Sequence, residues 1–369
     1  MYLDKSVMRV LIDIGHPAHM HMFKYFAEEM QKRGHEILFT CRDKEFELRL
    51  LDAYGFDYVN FGKKAKSHIG KILDLIKFNY KEWKVACTFK PDIFLSHGSI
   101  TAAHVAWIIR KPSIAFEDTF NMEQIRLWEP FVSVILTSMY EHPLKSNKVV
   151  KYRGYNELLY LHPNRFQVRN DILTKLNIKD GEKFVILRFV SWNATHDKGH
   201  SGISDENKRL AIEQFSKYAK VFISSEKLLP VDLEKYRIPI PAEDIHDVMA
   251  HASLIFGESA TMVSEGVMMG VPGVYLDNTG RLYTNELQQK YSMCYNYTES
   301  ESDQLLAIKK GIELLENDAK SLLSKQYEAL ISHNIDVTSF LTWFIENYPD
   351  SQKQTKSNQN NDAFWAQFK

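Results

Sequence analysis

The chain has 369 residues, 44% hydrophobic and 25% charged, with a formal net charge of −1. This is the composition of a soluble globular protein, and the length suits two domains of about 150–200 residues each. A near-neutral balance implies no global attraction to nucleic acid or membrane, no apolar run approaches the ~18 residues that span a bilayer, and Cys41, Cys87 and Cys294 are far apart, without metal-ligand spacing, as in a reducing cytoplasm.

The first fifteen residues are a charged lead into a strand and not a signal peptide, so a cytoplasmic location is expected. Residues 8–14 predict that strand, which ends in Gly15-His16-Pro17-Ala18-His19. A helix follows over 20–33, with Met22, Phe23, Phe26 and Met30 on one face. Residues 35–40 predict the second strand, 44–53 a helix, 58–59 a short strand and 69–89 a long amphipathic helix. The next strand, 91–95, ends at Ser96-His97-Gly98-Ser99. A helix over 101–109 leads to a strand over 112–116, which ends at Glu117-Asp118-Thr119, and 132–136 predicts a further strand. Strands alternating with helices at this spacing mean a parallel sheet with right-handed crossovers.

Residues 154–164 have neither a helical nor a strand period and read as a linker between a first domain over 1–153 and a second over 165–335. The pattern restarts with a strand over 184–189, a helix over 205–218, a strand over 221–223 and a short helix containing His246. An apolar run over 254–256, bounded by Gly257, predicts a buried strand. A helix over 262–269 follows Glu258-Ser259-Ala260-Thr261, and Gly270 and Pro272 separate it from a strand over 274–276. Residues 283–291, 302–315 and 319–331 predict helices. A last helix over 336–348 is expected to cross back, and 349–369 to be a disordered tail. No tandem repeat is apparent, and the halves share only an architecture.

Polar clusters gather where strands end, which is where open α/β sheets bind ligands. Ser259, Ala260, Thr261 and Met262 open a helix, whose free N–H groups and positive dipole end suit an anion. Glu265, one turn on, can accept hydrogen bonds from both hydroxyls of a ribose. A nucleoside diphosphate satisfies both ends; a capped helix with an exposed Glu is the plainer alternative. His16 and His19 titrate near neutrality, and either can take a proton from an attacking hydroxyl. There is no paired-carboxylate D-x-D motif, so a metal site is not expected and the chemistry is read as metal-independent.

These motifs resemble the donor-nucleotide region of GT-B-fold enzymes, both the lipid-linked N-acetylglucosaminyltransferases of peptidoglycan synthesis and the UDP-N-acetylglucosamine 2-epimerases. The resembling residues are Ser259, Ala260, Thr261, Met262 and Glu265, then Gly270-Val271-Pro272, with Asp244 to Met249 upstream. The wider pattern is similar to the DUF354 family, through Asp13 to His19, Gly154 to Leu158, Trp192 to Asp197 and Gly257 to Met262. The resemblance implies an α/β, GT-B-like fold: two Rossmann-like domains with parallel sheets facing a central cleft. It implies a diphosphate at Ser259–Met262, ribose at Glu265 and uracil near Ile245. It also implies a cation, Arg188 or His196, for the leaving group. Glu117 matches one of two carboxylates that the epimerases use for proton transfer; the other position holds Ser99, which cannot do acid–base work near pH 7. The expected function is therefore a glycosyltransferase using a nucleotide sugar, UDP-linked, as substrate and no further cofactor. The acceptor is a glycan or lipid-linked sugar of surface polysaccharide or glycolipid assembly, and peripheral membrane association is an accompanying expectation. A 2-epimerase-like enzyme is the alternative within enzymes, and a non-catalytic nucleotide-sugar-binding protein the alternative outside them.

Overall fold

The computed structural model describes residues 7–43, 46–65, 67–179, 181–189, 202–225 and 228–369, except for the side chains of 68 and 69. The chain divides into two compact units, 1–165 with 334–369, and 166–333.

In the first unit the apolar runs become β1 (Arg9–Asp13), β2 (Glu36–Cys41), β3 (Tyr58–Asn60), β4 (Ile93–His97), β5 (Ser113–Phe116), β6 (Val134–Ser138) and β7 (Val149–Tyr152). Among the described residues they form one parallel sheet in the order β3-β2-β1-β4-β5-β6-β7. Its helices are α1 (Pro17–Lys32), α2 (Glu47–Tyr54), α3 (His68–Phe89), α4 (Ile100–Ile108) and α5 (Met122–Trp128). α1 starts three residues earlier than expected, because Pro17 suits the first helical turn and His16 caps it. Strand order reverses direction between β1 and β4, so the loops after these two strands lie at a topological switch point.

The second unit holds α6 (Ile172–Lys175), β8 (Phe184–Arg188), α7 (Asp205–Phe215), β9 (Lys220–Ser224), α8 (Ile245–His251), β10 (Leu254–Gly257), α9 (Ala260–Met268), β11 (Gly273–Leu276) and α10 (Leu282–Tyr291). β12 (Cys294–Tyr297), α11 (Glu301–Glu316), α12 (Ala319–Leu322) and α13 (Ser324–His333) complete it. Its parallel sheet runs β12-β11-β10-β8-β9, with the switch point between β8 and β10. Val185, Leu187, Leu254 and Phe256 pack with Phe215 and Ala307 in a buried core. That burial is why these strands read as unbroken apolar runs.

Two expectations are corrected. Residues 154–164 are part of the first unit's interior, not a linker: Tyr155, Leu158, Leu159, Tyr160 and Leu161 are all buried. They lack a period because they fold as a 3-10 turn, Asn156–Leu159, and irregular chain. Residues 349–369 are helical, as α15 (Asp350–Ser357) and α16 (Asp362–Ala366), following α14 (Val337–Glu346). Their polar composition misleads because Ser351 donates its hydroxyl to Phe344 O (2.6 Å) and Thr355 to Ser351 O (2.8 Å), which lets both be buried. Trp365 is fully buried and packs on Phe340, ring centroids 5.6 Å apart. Residues 334–369 belong to the first unit, where Thr338 donates to Leu159 O (2.6 Å) and Arg165 to Asp336 (2.7 Å).

Candidate functional site

In the first unit the polar residues converge at the ends of β1, β4 and β5. His16 has extended backbone and caps α1, its Nδ1 accepting from the Ala18 amide at 3.2 Å. His19 Nδ1 accepts from the Gly15 amide at 3.3 Å. A ring nitrogen that accepts carries no proton, so in the neutral tautomers of His16 and His19 the proton sits on Nε2.

The His19 ring stacks on His97 with centroids 4.7 Å apart, and lies 5.9 Å from His16. His97 ends β4 and donates from Nε2 to Asp118 at 3.0 Å. Asp118 also accepts from Asn156 Nδ2 (2.6 Å), and Asn156 from the Tyr152 hydroxyl (2.6 Å). Burial opposes charge on His97, but the Asp118 carboxylate prevails and raises it to about 9. His97 is therefore an imidazolium at neutral pH, stacked on the His19 ring. Asp13, 1% exposed, ends β1 and accepts from Thr40 (3.0 Å), Arg42 and Ser99. Asp13, His97 and Asp118 stand in polar clusters that the sequence shows, but their pairing is not visible there, since the partners come from different strands.

Glu117 is placed differently. It is 4% exposed, and its Oε1 accepts from the Thr119 amide (2.8 Å), the Thr119 hydroxyl (2.9 Å) and the Phe120 amide (2.7 Å). The carboxylate ties its own loop. Asp277 does the same in the second unit, accepting from the Thr279 amide (2.8 Å) and hydroxyl (2.6 Å) and the Gly280 amide (2.9 Å). Burial would raise Asp277, but these donors hold it below the usual carboxylate range. The correspondence extends further. Ser99, Thr101, Pro112, Glu117 and Thr119 recur at identical intervals as Ser259, Thr261, Pro272, Asp277 and Thr279. β4-α4-β5-α5 and β10-α9-β11-α10 are thus one supersecondary unit used twice, an internal correspondence not recognised from the sequence.

Ser259 caps α9 through Oγ, which accepts from the Met262 amide at 3.3 Å, as Ser99 Oγ caps α4 from Ala102 at 3.2 Å. The first helical bond of α9 runs from Val263 N to Ser259 O (3.0 Å). The amides of Ala260 and Thr261 precede it, where the helix itself supplies no acceptor. Met262, with its amide on Ser259, lines the same turn. Glu265 is 5% exposed and accepts from His246 Nε2 at 3.0 Å, so α8 fixes the carboxylate one turn behind the helix start. α8, which Ile245 opens, is itself anchored: Arg169 reaches Asp247 (2.7 Å) and Asp244, and Lys175 reaches Asp244 (2.9 Å). Arg188 ends β8 in register with Gly257, and its Nη1 donates to Ser224 Oγ at 3.5 Å. His196 lies outside the described residues. Among the described residues, no group of three or more His, Cys, Asp or Glu side chains is placed to hold a metal ion, and no helix is long and apolar enough to cross a membrane.

A family model described as a protein of unknown function, DUF354, matches residues 8–298. The chain belongs to the DUF354 family. An uncharacterised protein of Methanocaldococcus jannaschii is 25% identical over 281 residues, 72% of this chain and 80% of its own length. Among solved structures, this DUF354 chain is similar to a UDP-GlcNAc 2-epimerase from Neisseria meningitidis bound to UDP-GlcNAc. That match has a TM-score of 0.63 at 16% identity, covering 90% of this chain and 98% of the other. It is also similar to a spinosyn rhamnosyltransferase complexed with spinosyn aglycone, with a TM-score of 0.57 at 12% identity, covering 91% and 100%. At such identities the likeness is one of fold: this DUF354 protein has the two-domain GT-B fold, each domain an α/β unit around a parallel sheet.

Proposed function

We propose that this protein is a glycosyltransferase that takes its sugar from a nucleotide donor, UDP-linked, and works without a metal. The observation that carries the reading is the pairing of an anion-accepting helix start, Ser259 to Met262, with a carboxylate, Glu265, held one turn behind it by His246. The diphosphate fits the open amides of Ala260 and Thr261, and Glu265 accepts from the ribose hydroxyls. α8, with Ile245 at its start, borders the base. Arg188 supplies positive charge at the end of the adjoining strand, where the leaving oxygen gains charge. The bond from the anomeric carbon to the diphosphate breaks with its electron pair on the diphosphate. The acceptor oxygen bonds to that carbon, and its proton passes to the departing diphosphate. His16 and His19 orient the acceptor through their Nε2–H groups, beside the His97 charge. The acceptor class remains the glycan or lipid-linked sugar expected of surface-polysaccharide or glycolipid assembly. Epimerase chemistry is disfavoured because Glu117 ties its own loop and Ser99 caps α4.

Calorimetry with UDP, GDP and ADP tests the donor site. UDP is expected to bind, and at ~100 times its dissociation constant to stabilise the fold by roughly 2.7 kcal/mol. Glu265→Ala should weaken binding about ten-fold or more, the usual effect of losing hydrogen bonds to a charged group. UDP-N-acetylglucosamine incubated in D₂O without acceptor should gain no deuterium at C2; deuterium there would establish epimerisation instead. His19→Gln, which keeps a donor near the Nε2 position, should retain turnover that His19→Ala loses. If both variants lose it equally, the imidazole is a base after all.

A further inference from the structure

α3 is apolar on two sides. Phe78, Glu82 and Ala86 are 4%, 0% and 2% exposed and face the first unit's interior. On the other side Ile72, Leu73, Ile76, Tyr80 and Trp83 are 64%, 61%, 65%, 59% and 40% exposed. At the helical period of about 100° per residue, these five fall within an arc of about 100°, the width of a stripe that ordinarily faces a core. Tyr80 and Trp83 stack at 6.0 Å within it.

Charge is distributed unevenly around this stripe. Lys77, Lys81 and Lys84 flank one side, and Lys71 and Lys90 stand near its ends. The acids of α3 are Asp74 and Glu82, and neither belongs to the stripe: Glu82 is buried on the opposite side, and Asp74 accepts from the Ala65 amide. Lys77 and Lys84 are exposed, and Lys81 donates to Phe61 O at 2.7 Å. A second copy seated on this face would bring lysine rows together. A surface that is apolar below and anionic at its rim would match both the stripe and its border.

We propose that the open face of α3 docks on an anionic lipid bilayer, with Ile72, Leu73 and Ile76 among the acyl chains. Tyr80 and Trp83 sit at headgroup depth, and the lysines extend along their stems to the lipid phosphates. The inference rests on this surface alone and stands or falls separately from the proposed sugar transfer.

Sedimentation of the full chain with vesicles tests it. Vesicles of phosphatidylcholine with about 30% phosphatidylglycerol should capture the protein, neutral vesicles should not, and high salt should release it. Lys77→Glu with Lys84→Glu should weaken binding by at least about five-fold per lysine, and Ile76→Ser with Trp83→Ser should abolish it. All four positions are exposed, so unchanged melting curves are expected alongside. Cys87 lies on the same face, and Cys41 and Cys294 are buried. An environment-sensitive thiol label at Cys87 should therefore shift to the blue on anionic vesicles. Three outcomes would overturn the proposal: no capture by anionic vesicles, capture untouched by either double variant, or a dimer that Ile76→Ser with Trp83→Ser dissociates while vesicles stay unbound. The last would assign the face to self-association.

Discussion

Glu82 is fully buried on the inner side of α3, beside Asp13 and Arg42. Burial, then the charge of Asp13, raise its carboxyl to about 8 against the pull of Arg42. The folded chain keeps this proton where the unfolded chain, titrating at the ordinary value of 4.5, has lost it. Stability should therefore fall as pH rises from about 5 to 8, and Glu82→Gln should remove that slope. Urea midpoints of the two proteins at each end of the window measure it; parallel midpoints would mean that Glu82 is ionised in the fold. His97 titrates in the same sense, at higher pH. Its raised value means that the Asp118 pair contributes fully below the ordinary 6.5 and is lost as pH rises through about 9. Asp118→Asn should bring the His97 imidazole resonances back toward a midpoint near or below 6.5, and cost on the order of a few kcal/mol at pH 6. A midpoint that stays near 9 would show that the pair is not what charges His97.

Among the elements, β10 shows how close packing sets the end of a strand. Gly257 has φ +147, and a Cβ there would lie 2.1 Å from the Arg188 carbonyl oxygen. The same approach lets the Glu258 amide donate to Arg188 O at 2.9 Å. Gly257→Ala should destabilise the second unit by on the order of several kcal/mol. Gly15→Ala, where nothing lies within 4 Å of the added carbon, should be mild. Thermal melts that rank the two alike would contradict this. The central strands were legible from the sequence because burial on both faces leaves no polar residue to interrupt them. β7 was not: Val149-Val150-Lys151-Tyr152 alternates half-buried and buried positions at a sheet edge, and Lys151 broke the run. The Ser259 to Glu265 motif was legible because a helix start is written locally. The His97–Asp118 pair was not, because its members come from different strands and meet only through the sheet.

For the whole molecule, the first unit is completed by residues whose composition reads as a disordered tail. Trp365 is fully buried among Phe340, Phe364 and Phe368, and the Arg153 guanidinium lies 5.9 Å over its ring. Trp365→Ala should cost the first unit about 3–5 kcal/mol, as for other buried large aromatics. Removing 350–369 should cost at least as much and leave unchanged the UDP affinity proposed for the second unit. Denaturant unfolding followed by tryptophan fluorescence, with calorimetry on the truncated chain, checks both; an unaltered midpoint would return these residues to the status of a tail. A polar stretch can be read as disordered only if its hydroxyls face water, and those of Ser351 and Thr355 do not.

The return of 334–369 to the first unit also sets an order of assembly during synthesis. A ribosome delivers 166–333 in full before it delivers α14. The second unit then has every described strand of its sheet, while the first still lacks the segment whose Phe340 packs on Tyr152. Gly154, against which Val337 will seat so closely that a Cβ would lie 2.5 Å from its methyl, waits with that surface uncovered. The half of the protein made first is thus the half finished last. Nascent chains arrested before residue 334 should yield a protease-resistant second unit joined to a first unit that is still cut, and chaperones should be found on the N-terminal half.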